Sequence, residues 1–394
     1  MPLLSSGCHS SDRSLRGVLL VLAIFAGMAI ANIYYNQPLL DNLRRAFPHD
    51  ASLIGGVPTA TQLGFAVGML LFAPLGDRLD RRRLMLWQIG GLCVALLAAA
   101  SAFTMPMLII ASFAIGLFAS TAQQAGPFAA ELASPTRRGH AIGIVFSGLL
   151  LGILLARTVS GFIAGYFGWR AVFIVAIVFM LALSFLIIRY LPPSQPTSTL
   201  SYGKLLGSLW HLIVEFRGLR EAALTGASLF AAFSLFWSVL ALLLANKPFH
   251  LGPQVAGMFG IIGATGAMAA PWAGKFIDRR GARTAISLAI GLVALSFVIL
   301  GFSTTSIIGL VIGVIVLDVG VQVAQTSNQA RVFALKPEAR SRLNTVYMIS
   351  YFLGGAVGSA TGIAAWQAYG WVGVCIAGML FSLIATANHL RALL

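Results

Sequence analysis

Ala73-Pro74-Leu75-Gly76-Asp77-Arg78-Leu79-Asp80-Arg81-Arg82-Arg83 separates two long apolar runs. Four arginines and two aspartates within eleven residues cannot sit in hydrocarbon, where each charge is costly. The stretch therefore reads as a short loop at a membrane surface. The pattern returns 201 residues later in Gly274-Lys275-Phe276-Ile277-Asp278-Arg279-Arg280-Gly281-Ala282-Arg283. Each copy carries an Asp-Arg pair and further basic residues between two apolar runs, so the chain reads as a duplication.

Of 394 residues, 58% are hydrophobic and 9% charged, against roughly 25% charged in a soluble protein. Twelve runs are long enough to cross a bilayer: 16–35, 52–75, 84–103, 107–130, 140–166, 170–190, 221–245, 254–277, 284–302, 305–330, 342–366 and 370–390. They are too long and too uniformly apolar for barrel strands, the other structure that spans lipid. The expected fold is an all-α membrane protein of twelve transmembrane helices. The first run lacks a small-residue cleavage site and reads as a retained helix.

With both termini on the cytoplasmic side, 21 of the 26 Lys and Arg fall in cytoplasmic segments and four outside, with Arg157 inside a span. Basic residues collect on cytoplasmic loops, so this orientation is expected, in a bacterial inner membrane. The same rule accounts for the net charge of +15 without nucleic acid. The expected partners are the bilayer, a small-molecule substrate and protons, with a monomeric chain. The three cysteines show neither disulfide nor metal spacing.

The expected domains are a six-helix bundle at 1–190, a cytoplasmic linker at 191–220 and a second six-helix bundle at 221–394. The linker opens with Pro192, Pro193 and Pro196, an extended composition. Leu205, Leu209, Leu212, Ile213 and Phe216 then recur at helical spacing, as in an amphipathic surface helix. An offset of 202 pairs Gln123 with Gln325, Arg138 with Arg340, Gly152 with Gly354, Gly168 with Gly370 and Trp169 with Trp371. Six spans per half is even, so the halves share one orientation and relate by an axis along the membrane normal.

These features resemble the major facilitator superfamily, whose loop between helices two and three reads Gly-x-x-x-Asp-Arg-x-Gly-Arg-Arg/Lys. The first copy matches at Asp77, Arg78, Arg81 and Arg82 and departs at Ala73 and Asp80. The second matches at Gly274, Asp278, Arg279, Gly281 and Arg283. In the fifth span, Gly148 and Gly152 are similar to the Gly-x-x-x-Gly-Pro-x-x-Gly-Gly motif of the drug/proton antiporter branch. Ile153, Ala156 and Arg157 replace its proline and paired glycines. Ala31-Asn-Ile-Tyr-Tyr-Asn-Gln-Pro38 also resembles a subgroup of bacterial drug and metabolite exporters.

The resemblance implies a conformational latch at Asp77, Arg78, Glu131, Asp278 and Arg279. Asp77 would dock near the start of the eleventh helix, around Arg342, and Arg78 would pair with Glu131. It also places helices one, four, seven and ten around a central cavity and helices two, five, eight and eleven between the halves. The last four are rich in glycine, which suits close approach.

Two full charges lie within spans, Asp318 and Arg157. Intramembrane charges usually face a cavity or a partner. Arg157 lies about 25 Å along its helix from His140, and Asp318 about 20 Å from Thr305, at roughly 1.5 Å per residue. Both fall in the middle or outer bilayer, in opposite halves. A salt bridge made in one state and broken in another would let Asp318 bind and release a proton within one cycle. Tyr34, Asn36, Gln123, Trp237, Gln322 and Gln325 are the candidate substrate contacts. No nucleotide-binding loop, H-E-x-x-H or G-x-S-x-G occurs. The expectation is therefore no enzyme, cofactor or metal, and a secondary transporter driven by an ion gradient or by its substrate's own. Proton-coupled efflux of a drug or metabolite is the main reading. An uncoupled facilitator or importer, or a non-transporting membrane sensor, is the alternative.

Overall fold

The computed structural model describes residues 6–134, 136–195 and 201–392. Pro196 and the Ser/Thr run that follows it in the linker lie outside them. The first half comprises α1 (Ser6–Ala31), α2 (Leu40–Ala46), α3 (Gly56–Gly76), α4 (Arg81–Ala100), α5 (Met105–Ala119), α6 (Ala125–Leu132), α7 (Arg138–Phe167) and α8 (Trp169–Tyr190). After α9 (Tyr202–Glu215), the second half comprises α10 (Arg217–Ala245), α11 (Pro253–Met268), α12 (Ala270–Arg280), α13 (Ala282–Phe302), α14 (Ile307–Leu335) and α15 (Arg340–Arg391). No strand occurs among the described residues.

Among these residues nine helical stretches have the length and apolar composition of a span, and one of them, α15, is 52 residues long. It breaks at Gly370, whose φ of +61° is non-helical, and so supplies two spans. The apolar part of α1 and the α11–α12 pair complete twelve. The fourth span is α5 and α6 joined through a 3-10 turn at Ser120–Gln124. The fifth and sixth are α7 and α8, joined at Gly168.

The repeat shows in the corners. Gly168 takes φ +82° and Gly370 φ +61°, a region that glycine enters without a Cβ penalty. Beside each glycine a side chain ties the corner to the end of another span. Arg170 donates to Ala102 O at 2.9 Å, and Trp371 Nε1 donates to Leu300 O at 2.9 Å.

Helix starts follow local chemistry. Asp80 caps α4 by accepting from Arg82 N at 2.9 Å, and Ser306 caps α14 by accepting from Gly309 N at 3.2 Å. Such caps satisfy amides that a helix leaves unpaired. The first helix stops at Ala31, four residues before the expected end. Asn32 Nδ2 donates to Met28 O at 2.8 Å and to Ala29 O, the local competition that favours turns over continued helix. The expected first outer loop is packed structure instead. Leu39, Leu40 and Leu43 are fully buried, while Asp41 bridges Arg44 and Arg45 on the other face of α2.

Most glycines of the small-residue spans serve packing within a half rather than between halves. A Cβ on Gly64 or Gly68 would strike the backbone of Phe113 or Leu117 in α5. One on Gly148 or Gly152 would strike Ala23 or Gly27 in α1, and one on Gly354 or Gly358 would strike Ala227 or Ala231 in α10. Gly152 and Gly354 thus do the same job in the two repeats. Contacts between halves are fewer. In α7, Gly161 meets Pro253 O and Gly257 of α11, and Thr158 Oγ1 donates to Gly257 O at 2.9 Å. Between α3 and α15, the Phe65 and Phe352 rings lie 4.3 Å apart, and Gly55 packs on Ile363.

Without hydrophobic drive between helices in lipid, such backbone proximity carries the packing. Gly152→Val forces side-chain atoms into the Gly27 backbone and lowers stability by about 2 kcal/mol, the scale of overpacking. The readout is a fall in the thermal unfolding midpoint in detergent. At Gly90 an added Cβ meets nothing within 4 Å, so Gly90→Val leaves the midpoint in place.

Candidate functional site

A cavity of about 900 Å³, counting its open mouth, lies between the halves. Tyr34, Gln123, Arg157, Asp318, Gln322 and Gln325 line it, so most of the residues expected from the sequence converge there. Gln329, Asn344 and Phe146 continue the lining toward the end of the molecule that carries most of the arginines. Toward the other end, α7 and α11 close over it through Thr158, Gly161 and Gly257.

Two of the expected substrate contacts behave differently. Asn36 does not line the cavity; it is buried and donates from Nδ2 to Thr61 Oγ1 at 2.8 Å, tying the end of the first span to α3. The Thr61 hydroxyl donates to Val57 O at 2.8 Å and keeps a lone pair to accept from this amide, inside the bundle. Trp237 forms the floor behind the cavity. Its indole N–H donates to Asp318 Oδ1 at 3.3 Å, and the Arg157 guanidinium carbon stands 4.0 Å from its ring centroid.

The environment of Arg157 is built from both halves. The residue is 2% exposed. Its Nε donates to Gln37 Oε1 at 2.6 Å, and its guanidinium also lies 4.7 Å from the Tyr34 ring centroid. A guanidinium stays charged, and stripping one of water costs several kcal/mol. Desolvated cation–π contacts with Trp237 and Tyr34, at about 2 kcal/mol each, a third ring, Phe233, at 5.7 Å, and a charge-assisted hydrogen bond offset that cost. Nη2 is buried and has no hydrogen-bond partner. Asp318, 7% exposed, sits one turn before Gln322 on α14. Gly263 and Gly266 of α11 leave room for it, since a Cβ on either would meet the Asp318 side chain.

Arg157 and Asp318 do not form an ion pair within 4.0 Å; each is bound to a different part of the same indole. An aromatic wall that was not among the expected site residues stands beside them. Phe230 stacks on Tyr351 at 3.9 Å and on Phe233 at 5.5 Å, and all three line the cavity. The spacing of Phe230, Phe233 and Trp237 on one helix face was the available signal.

The latch region departs from the implied pairing. Glu131 takes Arg81, whose Nε lies 3.5 Å from Oε2, rather than Arg78. Arg81 also bridges Asp77 at 2.8 Å and donates to Gln124 Oε1 at 3.2 Å. The cause is geometric: Arg81 opens α4 one turn after Asp77, and its 6% exposure places it under the loop. Asp77 does share a small pocket with Ser341, Arg342 and Thr345 at the start of the eleventh span and with Leu205 and Leu209 of α9. In the second half Asp278 and Arg279 are exposed.

Twelve spans in two like halves around a central cavity define a membrane transporter. The Major Facilitator Superfamily model matches residues 19–359. The uncharacterized transporter YgaY of Escherichia coli O157:H7 is 42% identical over 367 residues, covering 93% of each chain. The inner membrane transport protein YnfM of Escherichia coli strain K12 is 26% identical over 383 residues, covering 94% of this chain and 90% of that one. The crystal structure of a D-xylose-proton symporter superposes with a TM-score of 0.73 at 18% identity, over 94% and 96% of the two chains. The chain belongs to the Major Facilitator Superfamily.

The Arg81 cluster is a stability element that the exposed arginines are not. Arg81→Gln removes charge-assisted hydrogen bonds to Asp77 and Gln124 and the ion pair with Glu131, and costs about 2 kcal/mol. Arg83→Gln, on a side chain 84% exposed, costs under about 1 kcal/mol. Thermal unfolding of the two variants side by side in detergent gives the comparison.

Proposed function

We propose that this protein is a secondary active transporter that moves a small organic solute across the bacterial inner membrane by alternating access, coupled to protons at Asp318. The observation that carries this reading is the placement of Arg157 and Asp318. Opposite charges from opposite halves face one cavity that is sealed toward one end. The count of Lys and Arg supports the basic end as cytoplasmic, which makes this an inward-facing state.

The coupling follows from which half holds which charge. Arg157 belongs to the first half; Asp318 and Trp237 belong to the second. Rocking the halves to close the basic end must part Thr158 and Gly161 from Gly257, and with them Arg157 from Trp237. The electrostatic surroundings of Asp318 then differ between the two states, so its proton affinity is linked to the conformational equilibrium. Arg81, Asp77 and Glu131 are already joined in this state, so they would fix the shape of the loop that meets the Arg342 end of the eleventh span rather than choose between states. Export is favoured by the likeness of the fifth span to the antiporter branch.

A thermal-shift screen of metabolites and drugs on the purified protein supplies the substrate for the test. In proteoliposomes with an imposed pH difference, the wild type moves that substrate against its gradient. Asp318→Asn loses the pH-driven accumulation but still equilibrates substrate at saturating concentration. An Asp318→Asn variant that concentrates substrate on a pH difference alone would rule out Asp318 as carrier. Uphill transport that persists in the wild type after the pH difference is collapsed would remove proton coupling altogether.

A further inference from the structure

Opposite charges in a low-dielectric cavity attract strongly, yet Arg157 and Asp318 are kept from joining. Trp237 is the spacer. Its face carries the guanidinium at 4.0 Å and its N–H holds Asp318 Oδ1 at 3.3 Å. Gln37 pins Arg157 from behind through Nε. Two polar groups remain. Arg157 Nη2 is a buried cationic donor with no partner. Asp318 Oδ2 is the carboxylate oxygen that the indole does not take, and it lies against Gly263.

We propose that the cavity takes a small zwitterion, with its carboxylate on Arg157 Nη2, its ammonium on Asp318 Oδ2, and an aromatic or bulky apolar group against Phe230, Phe233 and Tyr351. A molecule of one charge satisfies only one of the two groups. A simple anion would face the Asp318 carboxylate, and a simple cation would face the guanidinium. A ligand carrying both signs replaces the ion pair that Trp237 prevents, and an unmatched buried charge is the costlier alternative. The stacked rings of Phe230 and Tyr351 supply the apolar surface that such a ligand's side group needs.

This substrate class rests on reading the cavity as the transport site, and it gives coupling a sign. The charged and titratable groups around Asp318 are Arg157 from α7, Tyr34 from the end of the first span and Tyr351 from α15, with the Trp237 indole from α10. Asp318 is the one acid among them. A substrate ammonium and a proton therefore contend for it, so one leaves as the other binds, which is exchange rather than cotransport.

The test uses three matched probes and the full-length protein in nanodiscs at one fixed pH, read by isothermal titration calorimetry. L-Phenylalanine carries both charges, 3-phenylpropionate only the carboxylate, and 2-phenylethylamine only the ammonium. Phenylalanine is expected to bind at least about tenfold more tightly than either, the scale of one charge-assisted hydrogen bond. Arg157→Gln brings phenylalanine down to the affinity of phenylethylamine, and Asp318→Asn brings it down to that of phenylpropionate. Arg157→Lys keeps the preference for the zwitterion; where Arg157→Gln does not fold, Asp318→Asn decides alone. Equal or tighter binding of phenylpropionate makes this an anion site, and equal or tighter binding of phenylethylamine makes it a cation site. Either result overturns the proposal, as does folded wild type that binds none of the three. No gradient is present in this assay, so its failure leaves the pH-driven transport result untouched.

Discussion

Everything in the centre of this protein depends on how one tryptophan keeps two charges apart. Arg157 lies on the face of Trp237, and Asp318 accepts the N–H at its edge. Each charge is stabilised without being neutralised by the other. Glycines at 263 and 266 admit the carboxylate, Tyr34 flanks the guanidinium, and Gln37 fixes its Nε. Because the arginine and the indole come from different halves, this contact anchors the observed state, and in the proposed cycle it is what rocking would have to break. On that reading, structural stability and transport act on the same few atoms.

The duplication explains why motion can be confined to that interface. Within each half, helix backbones touch at glycine: α7 on α1 through Gly148 and Gly152, α15 on α10 through Gly354 and Gly358. Close backbone packing has few ways to slide. Between the halves the contacts are sparser and involve aromatic rings, a threonine hydroxyl and two short glycine crossings. Two stiff bodies with a thinner seam suit rigid-body rocking about a central site. The two loop motifs have diverged in use. The first is drawn into a buried cluster around Arg81, while Asp278 and Arg279 of the second stand in solvent.

Much of the architecture was legible because hydrocarbon imposes length and composition on each span. The paired corners were readable as a 202-residue offset, and Gly168 and Gly370 adopt the same unusual backbone region. What could not be read was where polar side chains turn inward. Asn32 ends the first helix early through its own backbone bonds, and the segment that follows buries Leu39, Leu40 and Leu43 while α2 shows charge on its other face. The glycine-rich spans gave the right helices at the seam, α3 with α15 and α7 with α11. Most of their glycines nonetheless turn the other way, because periodicity cannot say which neighbour a small face meets. At the loop, composition alone could not choose between Arg78 and Arg81 as the partner of Glu131. Of the cavity, Tyr34, Gln123, Arg157, Asp318, Gln322 and Gln325 were foreseeable as polar groups at membrane depth. Phe230 and Phe233 were hidden among the chain's 26 phenylalanines, most of which serve ordinary packing or face lipid.

The central claim is that Asp318 is occupied by a proton or by substrate, but not by both. The direct measurement is proton release on ligand binding, followed with a pH-sensitive dye in weakly buffered detergent solution near neutral pH. The wild type should release protons as the transported ligand saturates the protein, and Asp318→Asn, at ligand concentrations that saturate it, should release none. Equal release from both, or proton uptake by the wild type, would contradict the account.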